Sequence, residues 1–172
     1  MDAIATETFF TELEKQINNE YPPPLAAQLF SFSRKVFDLP TLEEMGDSPL
    51  EKVKRFLHDF LIFTKTVDLN SPKVKVYCPQ GHDCVGSTEI FIIQRDMPFL
   101  VDSVRIELNR RGVNIRTIKS TILNVTRDAK GTLLSAFADE DETDSCKEAL
   151  IFISVDFYGS DQEKQALTDS IV

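Results

Sequence analysis

The chain has 172 residues, of which 42% are hydrophobic and 27% are charged, with 3 cysteines and no tryptophan. This composition is typical of a folded globular protein, and it excludes intrinsic disorder, collagen-like repeats and a disulfide scaffold. Because 28 Asp and Glu outnumber 19 Lys and Arg, the formal charge of -9 disfavours binding to nucleic acids and to anionic membranes.

The N-terminus and the cysteines predict the compartment. No apolar run approaches the roughly 18 residues that span a bilayer, and residues 1–10 lack the basic and apolar stretches of a signal peptide. The cysteines form no C-x-x-C pair, which favours reduced thiols. We therefore expect a cytoplasmic protein with no membrane partner and no nucleic-acid partner.

The first part of the chain is predicted to be a helical subdomain over residues 1–70. Three apolar stripes with helical spacing occur, over residues 4–17, 25–36 and 50–63. The second helix is predicted to end near Pro40 and the third to begin at Asp47 or Ser48, with Pro49 in its first turn.

After Asn70 the sequence becomes rich in β-branched and aromatic residues with intervals near two, which predicts strands. The predicted strands span residues 73–78, 88–94, 113–125, 132–137 and 149–157, with polar loops at 80–86 and 139–144. One helix is predicted from about Pro98 to Arg111, with Gly112 at its C-terminal cap. The apolar run at 88–94 is predicted to be buried on both faces of a sheet.

The last residues of the chain show the pattern of a helix whose apolar stripe is incomplete. Ser160 and Glu163 have the spacing of a capping box, and Leu167 and Ile171 begin an apolar stripe that the last residue, Val172, interrupts. We therefore expect this chain to be a piece of a longer protein, with a domain over residues 71–172 that is truncated at its C-terminus.

The order of these elements predicts the fold class. A β-α-β-β order with one helix against an antiparallel sheet is typical of a ferredoxin-like α/β sandwich. The chain is therefore predicted to be α+β, with an N-terminal helical subdomain followed by a sandwich whose sheet is mainly antiparallel.

The run DMPFLVDSV at residues 96–104, followed by GVNI at 112–115, carries the most specific signal. It resembles ACT domains, in which an Asp-x-Pro-Gly-Leu-Leu-like turn leads from the first strand into the first helix. Together with ELNRRG at 107–112, it is similar to the first ACT-type region of the large bacterial NAD-specific glutamate dehydrogenases. This closer resemblance covers residues 89–118.

The resemblance implies a parent enzyme that oxidises L-glutamate to 2-oxoglutarate and ammonia with NAD, in a domain far downstream. This chain is then the N-terminal regulatory and assembly region, with the downstream domains of the parent chain and further copies in a homo-oligomer as its partners. No catalytic residue and no cofactor site are expected here, because the six glycines never show the G-x-G-x-x-G spacing. The alternative is a free-standing amino-acid-sensing or self-associating ACT-like module.

The same resemblance implies an amino-acid effector site at the turn between the first strand and the helix. Its candidate residues are Asp96, Met97, Pro98, Phe99, Asp102 and Ser103. Free amide groups and the positive dipole end of the helix favour a carboxylate there. However, Phe99 replaces the glycine usual in ACT domains, so two interpretations stay open: a buried Phe99 that plugs the turn, which we favour, or an exposed Phe99 beside a working site.

Cys78, His82 and Cys84 form a weaker candidate, a structural zinc site, because thiolate and imidazole are zinc ligands. The spacing C-x3-H-x-C matches no standard zinc motif, and no fourth ligand is evident in the sequence. We therefore expect no metal in this chain.

Overall fold

A computed structural model describes residues 3–37, 42–43, 48–68, 70–78, 88–135, 145–156 and 159–171. The loops predicted at 80–86 and 139–144 lie outside the described residues. The chain divides into two compact units, Met1–Lys65 and Thr66–Val172. This division falls just before Thr66, whereas the predicted boundary between the helical subdomain and the strands follows residue 70.

The described residues of the first unit include the helices α1 (Ala3–Glu20), α2 (Pro23–Val36) and α3 (Pro49–Thr64). Its core is aromatic, with the rings of Phe32 and Phe60 stacked at a centroid distance of 4.5 Å. Helix α3 begins after Ser48, as predicted. Helix α2 ends before the predicted Pro40, because Phe37 adopts an extended conformation and its side chain is buried.

The second unit is an antiparallel five-stranded sheet in the order β1-β2-β5-β3-β4. Its strands are β1 (Lys73–Tyr77), β2 (Thr88–Arg95), β3 (Asn114–Arg127), β4 (Leu133–Ser135) and β5 (Ser145–Asp156). Its helices are α4 (Leu100–Arg110) and α5 (Asp161–Ile171). This architecture confirms the predicted α+β fold. Strand β1 pairs with β2 at the position that the fourth strand occupies in a ferredoxin-like sheet.

The central strands of this sheet carry buried residues on both faces. On one face, Leu108 of α4 and Leu167 of α5 join a core cluster with residues that include Ile92, Ile151 and Ile153. The opposite face is also inaccessible to solvent at Phe91, Ile93, Leu123, Val125 and Leu150. The prediction that β2 is buried on both faces is therefore confirmed.

Several element boundaries differ from the predicted ones. Strand β5 begins at Ser145 rather than Ala149, because its polar first residues continue the ladder with β3, where Ser145 pairs with Thr126. Strand β3 likewise extends to Arg127. Strand β4 begins at Leu133, since the preceding residue forms only an isolated bridge with Thr66.

Two predicted helix caps are confirmed. Gly112 follows α4 with a positive φ of 69°, as a C-terminal cap requires. The capping box is formed before α5, where the Ser160 amide donates to Glu163 Oε2 at 2.7 Å and the Glu163 amide donates to Ser160 Oγ at 3.3 Å. Among the described residues, no helix combines the length and apolar character needed to cross a membrane.

Candidate functional site

The turn between β2 and α4 has an unusual backbone. Phe99 lies in the left-handed region, with φ 65° and ψ 13°, and α4 begins only at the next residue. The predicted helix start at Pro98 is therefore wrong, because the left-handed residue separates Pro98 from the first turn. Phe99 occupies the N-cap position of α4, and its side chain makes no capping hydrogen bond.

The expectation that Phe99 plugs the turn is wrong, because its side chain is 78% exposed. Helix α4 starts one residue after Phe99, and its buried stripe consists of Val104 and Leu108. Phe99 therefore precedes the stripe that packs on the sheet. The exposure of Phe99 agrees with the other interpretation, whose working effector site stays a prediction.

A groove of about 430 Å³ lies between this turn and the sheet. Four of the predicted effector residues line it, Asp96, Met97, Phe99 and Asp102. The rest of the wall is formed by Leu100 and Val101 of α4, residues 120–122 of β3 and Ala149 of β5. Pro98 and Ser103 are exposed and do not line the groove.

The groove combines polar and apolar features. Within the described residues, the amides of Leu100, Val101 and Asp102 have no hydrogen-bond acceptor, so the first turn of α4 can receive an anion or a carbonyl. Its rim is apolar, because Met97 is 54% exposed and Ile122 is 56% exposed. The groove can therefore accept a carboxylate at one end and an apolar side chain along the rim.

Strand β3 borders the groove with an open edge. Strand β5 pairs with β3 along its length, but β4 pairs with it only at Thr126 and Arg127. Among the described strands, none pairs with the outer edge of β3 at residues 120–122. Such an edge is a template for pairing with another strand.

The candidate zinc ligands are not brought together in the described part of the chain. Cys78 follows β1, with its Sγ 4.0 Å from Thr88 Oγ1, and His82 and Cys84 lie outside the described residues. No group of three His, Cys, Asp or Glu side chains within the described residues is arranged to hold a metal ion.

Sequence reasoning missed a second concave site, a pocket of about 220 Å³ that we call the charged pocket. The residues that define it are Val67, Asp68, Arg95, Arg127, Cys146 and Glu148. Burial and the neighbouring Glu148 raise the pKa of the Cys146 thiol. The available signal was Glu148, a charged residue that directly precedes an apolar strand segment.

Comparison with known proteins places this geometry in a family. The family model for the glutamate dehydrogenase ACT1 domain matches residues 32–171. The NAD-specific glutamate dehydrogenase of Halomonas elongata is 31% identical over 166 residues, which cover 94% of this chain and 10% of that protein. The protein of the same name from Pseudomonas aeruginosa is 32% identical over 174 residues, covering 99% of this chain and 11% of that protein.

This chain thus spans only a small part of the length of the curated relatives it matches. No solved structure matches it. The family match covers the turn, the groove, the open edge of β3 and the whole of the charged pocket. The chain therefore belongs to the glutamate dehydrogenase ACT1 domain family.

Proposed function

We propose that this chain is the non-catalytic regulatory and assembly region of an NAD-specific glutamate dehydrogenase. The parent enzyme converts L-glutamate and NAD to 2-oxoglutarate, ammonia and NADH. The family match and the printed names of the two relatives support this proposal. Because the chain spans 10% and 11% of those relatives, the dehydrogenase chemistry belongs to other parts of the parent.

The sequence supports a role without catalysis. A dinucleotide site needs a glycine-rich turn that opens a helix after a strand. The turn that follows β2 contains no glycine, and its helix begins after Phe99. NAD is therefore the cofactor of the parent enzyme and is bound outside this chain.

The observation that carries the assembly role is the state of Phe99. A left-handed backbone costs a residue other than glycine about 1–3 kcal/mol. An exposed Phe side chain also forgoes about 1.5–3 kcal/mol of burial energy. Because Phe99 is 78% exposed, its ring is available to a partner.

A second copy of this chain fits the surface best. Phe99 protrudes beside a groove with an apolar rim, so one surface carries both a projecting ring and a depression. This arrangement is self-complementary, as an isologous dimer requires, because each copy can insert its ring into the groove of the other. The open edge of β3 at residues 120–122 borders the same groove and adds strand pairing across the dimer axis.

A second candidate function is the binding of an amino-acid effector at the turn. The free amides of α4 favour a carboxylate, while Asp96 and Asp102 favour the ammonium group of the same ligand. The effector and the second copy use the same groove, so the effector weakens or reshapes the dimer. Thermal shift and sedimentation with added glutamate test this candidate.

Sedimentation velocity tests the assembly role. We expect the wild-type chain to dimerise, and Phe99→Asp to raise the dissociation constant about 30-fold or more, as for a central aromatic anchor. Ile106→Asp is the matched control, because Ile106 is exposed on the same helix and does not line the groove. A wild-type chain that stays monomeric at about 100 µM, well above a micromolar constant, overturns the assembly role.

Deletion in a relative tests the regulatory role. The segment of the Pseudomonas aeruginosa enzyme that matches this chain is removed, and NADH formation and oligomeric state are measured. We expect glutamate oxidation to persist while subunit assembly or the response to amino acids is lost. Unchanged assembly and unchanged kinetics contradict the proposal, as does NADH formation by the 172-residue chain alone.

A further inference from the structure

A cavity of about 570 Å³ lies beside the start of β1, and we call it the lysine pocket. Its wall is formed by residues 66–68, 70, 72 and 73 around the start of β1 and by residues 129–130 of the turn between β3 and β4. Within the described residues it shares Val67 and Asp68 with the charged pocket and none with the groove before α4. It is therefore distinct from the groove that carries the assembly surface.

Hydrogen bonds of the backbone fix both sides of the lysine pocket. The Val67 amide donates to the carbonyl oxygen of Gly131 at 3.1 Å, which ties the segment before β1 to the turn between β3 and β4. Within that turn, Asp128 Oδ1 accepts hydrogen bonds from the amides of Lys130 and Thr132, each at 2.8 Å. The backbone that carries the side chains of the pocket is therefore held in place.

The amine of Lys73 is positioned and activated at this wall. Lys73 is half-buried, and its Nζ donates to the carbonyl oxygen of Thr66 at 2.7 Å. Burial, together with the positive charges of Arg127 and Lys75, lowers the pKa of the Lys73 ammonium group. The neutral amine is the nucleophilic form of lysine, and desolvation beside other cations is one way in which proteins activate it. The contact with Thr66 uses an N–H and leaves the lone pair of the neutral nitrogen for attack.

Lys130 supplies a second cation at the same cavity. It is exposed and lines the pocket from the turn between β3 and β4. The acidic lining residue is Asp68, and a hydrogen bond from the Asn70 amide lowers the pKa of its carboxyl group. Two ammonium groups and one carboxylate leave the pocket with a net positive charge, which favours an anion. Lysine ammonium groups are common binding groups for phosphate.

We propose that Lys73 is a modification site for acyl phosphates, small molecules that carry an activated acyl group on a phosphate. Lys130 binds the phosphate, and the neutral amine of Lys73 attacks the carbonyl carbon. A C–N bond forms, the C–O bond to the phosphate breaks, and a proton of the attacking nitrogen passes to water. The products are an N-acyl lysine and inorganic phosphate.

The size of the cavity and the change in charge agree with this reaction. Small-molecule pockets measure about 300–1,000 Å³, and the lysine pocket lies within that range. Acylation removes a positive charge that Arg127 and Lys75 disfavour. The acylated pocket keeps the ammonium group of Lys130 and the carboxylate of Asp68, so its net positive charge is lost and the released phosphate is held less strongly.

Competitive acetylation of the folded 172-residue chain tests the proposal, with acetyl phosphate as the probe. The amines that remain are labelled with deuterated acetic anhydride after unfolding, and mass spectrometry then gives the rate at each lysine. Lys35, an exposed lysine of α2, is the internal control. We expect Lys73 to react at least about threefold faster than Lys35 in the folded chain, because its amine is activated by its surroundings. We expect equal rates for the two lysines in urea.

The variant Lys130→Gln separates phosphate binding from the reactivity of the amine. We expect it to slow the acetylation of Lys73 by acetyl phosphate about threefold or more, since the phosphate loses a cation. The reaction of Lys73 with N-hydroxysuccinimide acetate, an acyl donor without phosphate, is expected to stay unchanged in the same variant. Lys147→Gln is the matched control, because Lys147 is exposed on β5 and does not line the pocket. It is expected to change neither reaction.

Three results overturn the proposal. The first is a Lys73 that reacts no faster than Lys35 in the folded chain. The second is a preference for Lys73 that persists in urea, because the local sequence rather than the pocket then determines it. The third is an unchanged rate with acetyl phosphate in Lys130→Gln, which leaves Lys73 as a reactive amine without a phosphate site. None of these readouts depends on dimerisation or on the deletion in the relative, which test the proposed function separately.

Discussion

Arg127 and Glu148 join two strands of the sheet through a buried, two-point ion pair, with distances of 2.6 and 2.8 Å. Arg127 also donates from Nη1 to the carbonyl oxygen of Gly131 at 3.0 Å. One guanidinium group therefore connects β5 to the turn between β3 and β4. The turn is held from a second side, because the Val67 amide donates to the same carbonyl at 3.1 Å.

Removal of one member of this pair is expected to destabilise the fold strongly. Glu148→Ala leaves a buried guanidinium without its counter-charge and is expected to cost about 3–5 kcal/mol in the free energy of unfolding. The double variant Arg127→Met with Glu148→Leu removes both charges and is expected to recover most of that loss. Urea unfolding of the single and double variants measures the coupling. A double variant no more stable than Glu148→Ala contradicts this account.

The two glycines with positive φ are expected to differ greatly in their tolerance of a side chain. A Cβ on Gly112 has nothing within 4 Å, so Gly112→Ala is expected to cost only the backbone strain of about 1–2 kcal/mol. A Cβ on Gly131 falls 1.9 Å from the backbone oxygen of Val67, so the turn must open. Gly131→Ala is therefore expected to lose several kcal/mol, including the hydrogen bond to Val67. Equal unfolding midpoints for the two variants speak against this close approach.

Phe99→Gly is expected to stabilise the isolated chain. Glycine adopts the left-handed φ of 65° without strain, and loss of a ring that is 78% exposed removes little buried surface. We expect a gain of about 1 kcal/mol in urea unfolding under conditions that keep the chain monomeric. Phe99→Ala keeps the strain and is the control, with an expected change near zero. A loss of about 3 kcal/mol or more in either variant indicates a buried ring.

Glu107 is expected to give a measurable acid response in α4. Hydrogen bonds from Arg110 and Arg111 lower the pKa of Glu107 from 4.5 to about 2. A carboxyl group with a depressed pKa in the folded state stabilises that state above its ordinary pKa. This contribution is lost as the pH falls from 4.5 to about 2, and Glu107→Gln removes that part of the pH dependence. Carboxyl NMR titration checks it, and a midpoint near 4.5 in low salt contradicts it.

The sequence was informative about elements whose periodicity agrees with their final packing. The apolar stripes over residues 25–36 and 50–63 predicted helices α2 and α3, and the apolar run of β2 predicted burial on both faces. The first residues of β5 could not be predicted in the same way. Ser145 and Lys147 belong to no apolar pattern. They extend β5 because their backbone pairs with that of β3.

The candidate sites were only partly predictable. The resemblance located the turn, and four of its six candidate residues line one groove. The exposure of Phe99 could not be predicted, because it depends on a helix start that lies one residue beyond a left-handed backbone. The charged pocket was missed because its residues are distant in sequence, and Arg95 lies opposite Glu148 only through the pairing of β2 with β5.

The position of β5 in the sheet determines which strand edges stay unpaired while the protein is being translated. β5 is the last of the described strands along the chain, yet it lies between β2 and β3 in the sheet. During translation, the apolar strands β2 and β3 emerge before the strand that joins them, with their inner edges open. A nascent chain that stops before Ser145 therefore leaves both of these edges without their partner, and the sheet is completed only when residues 145–156 emerge.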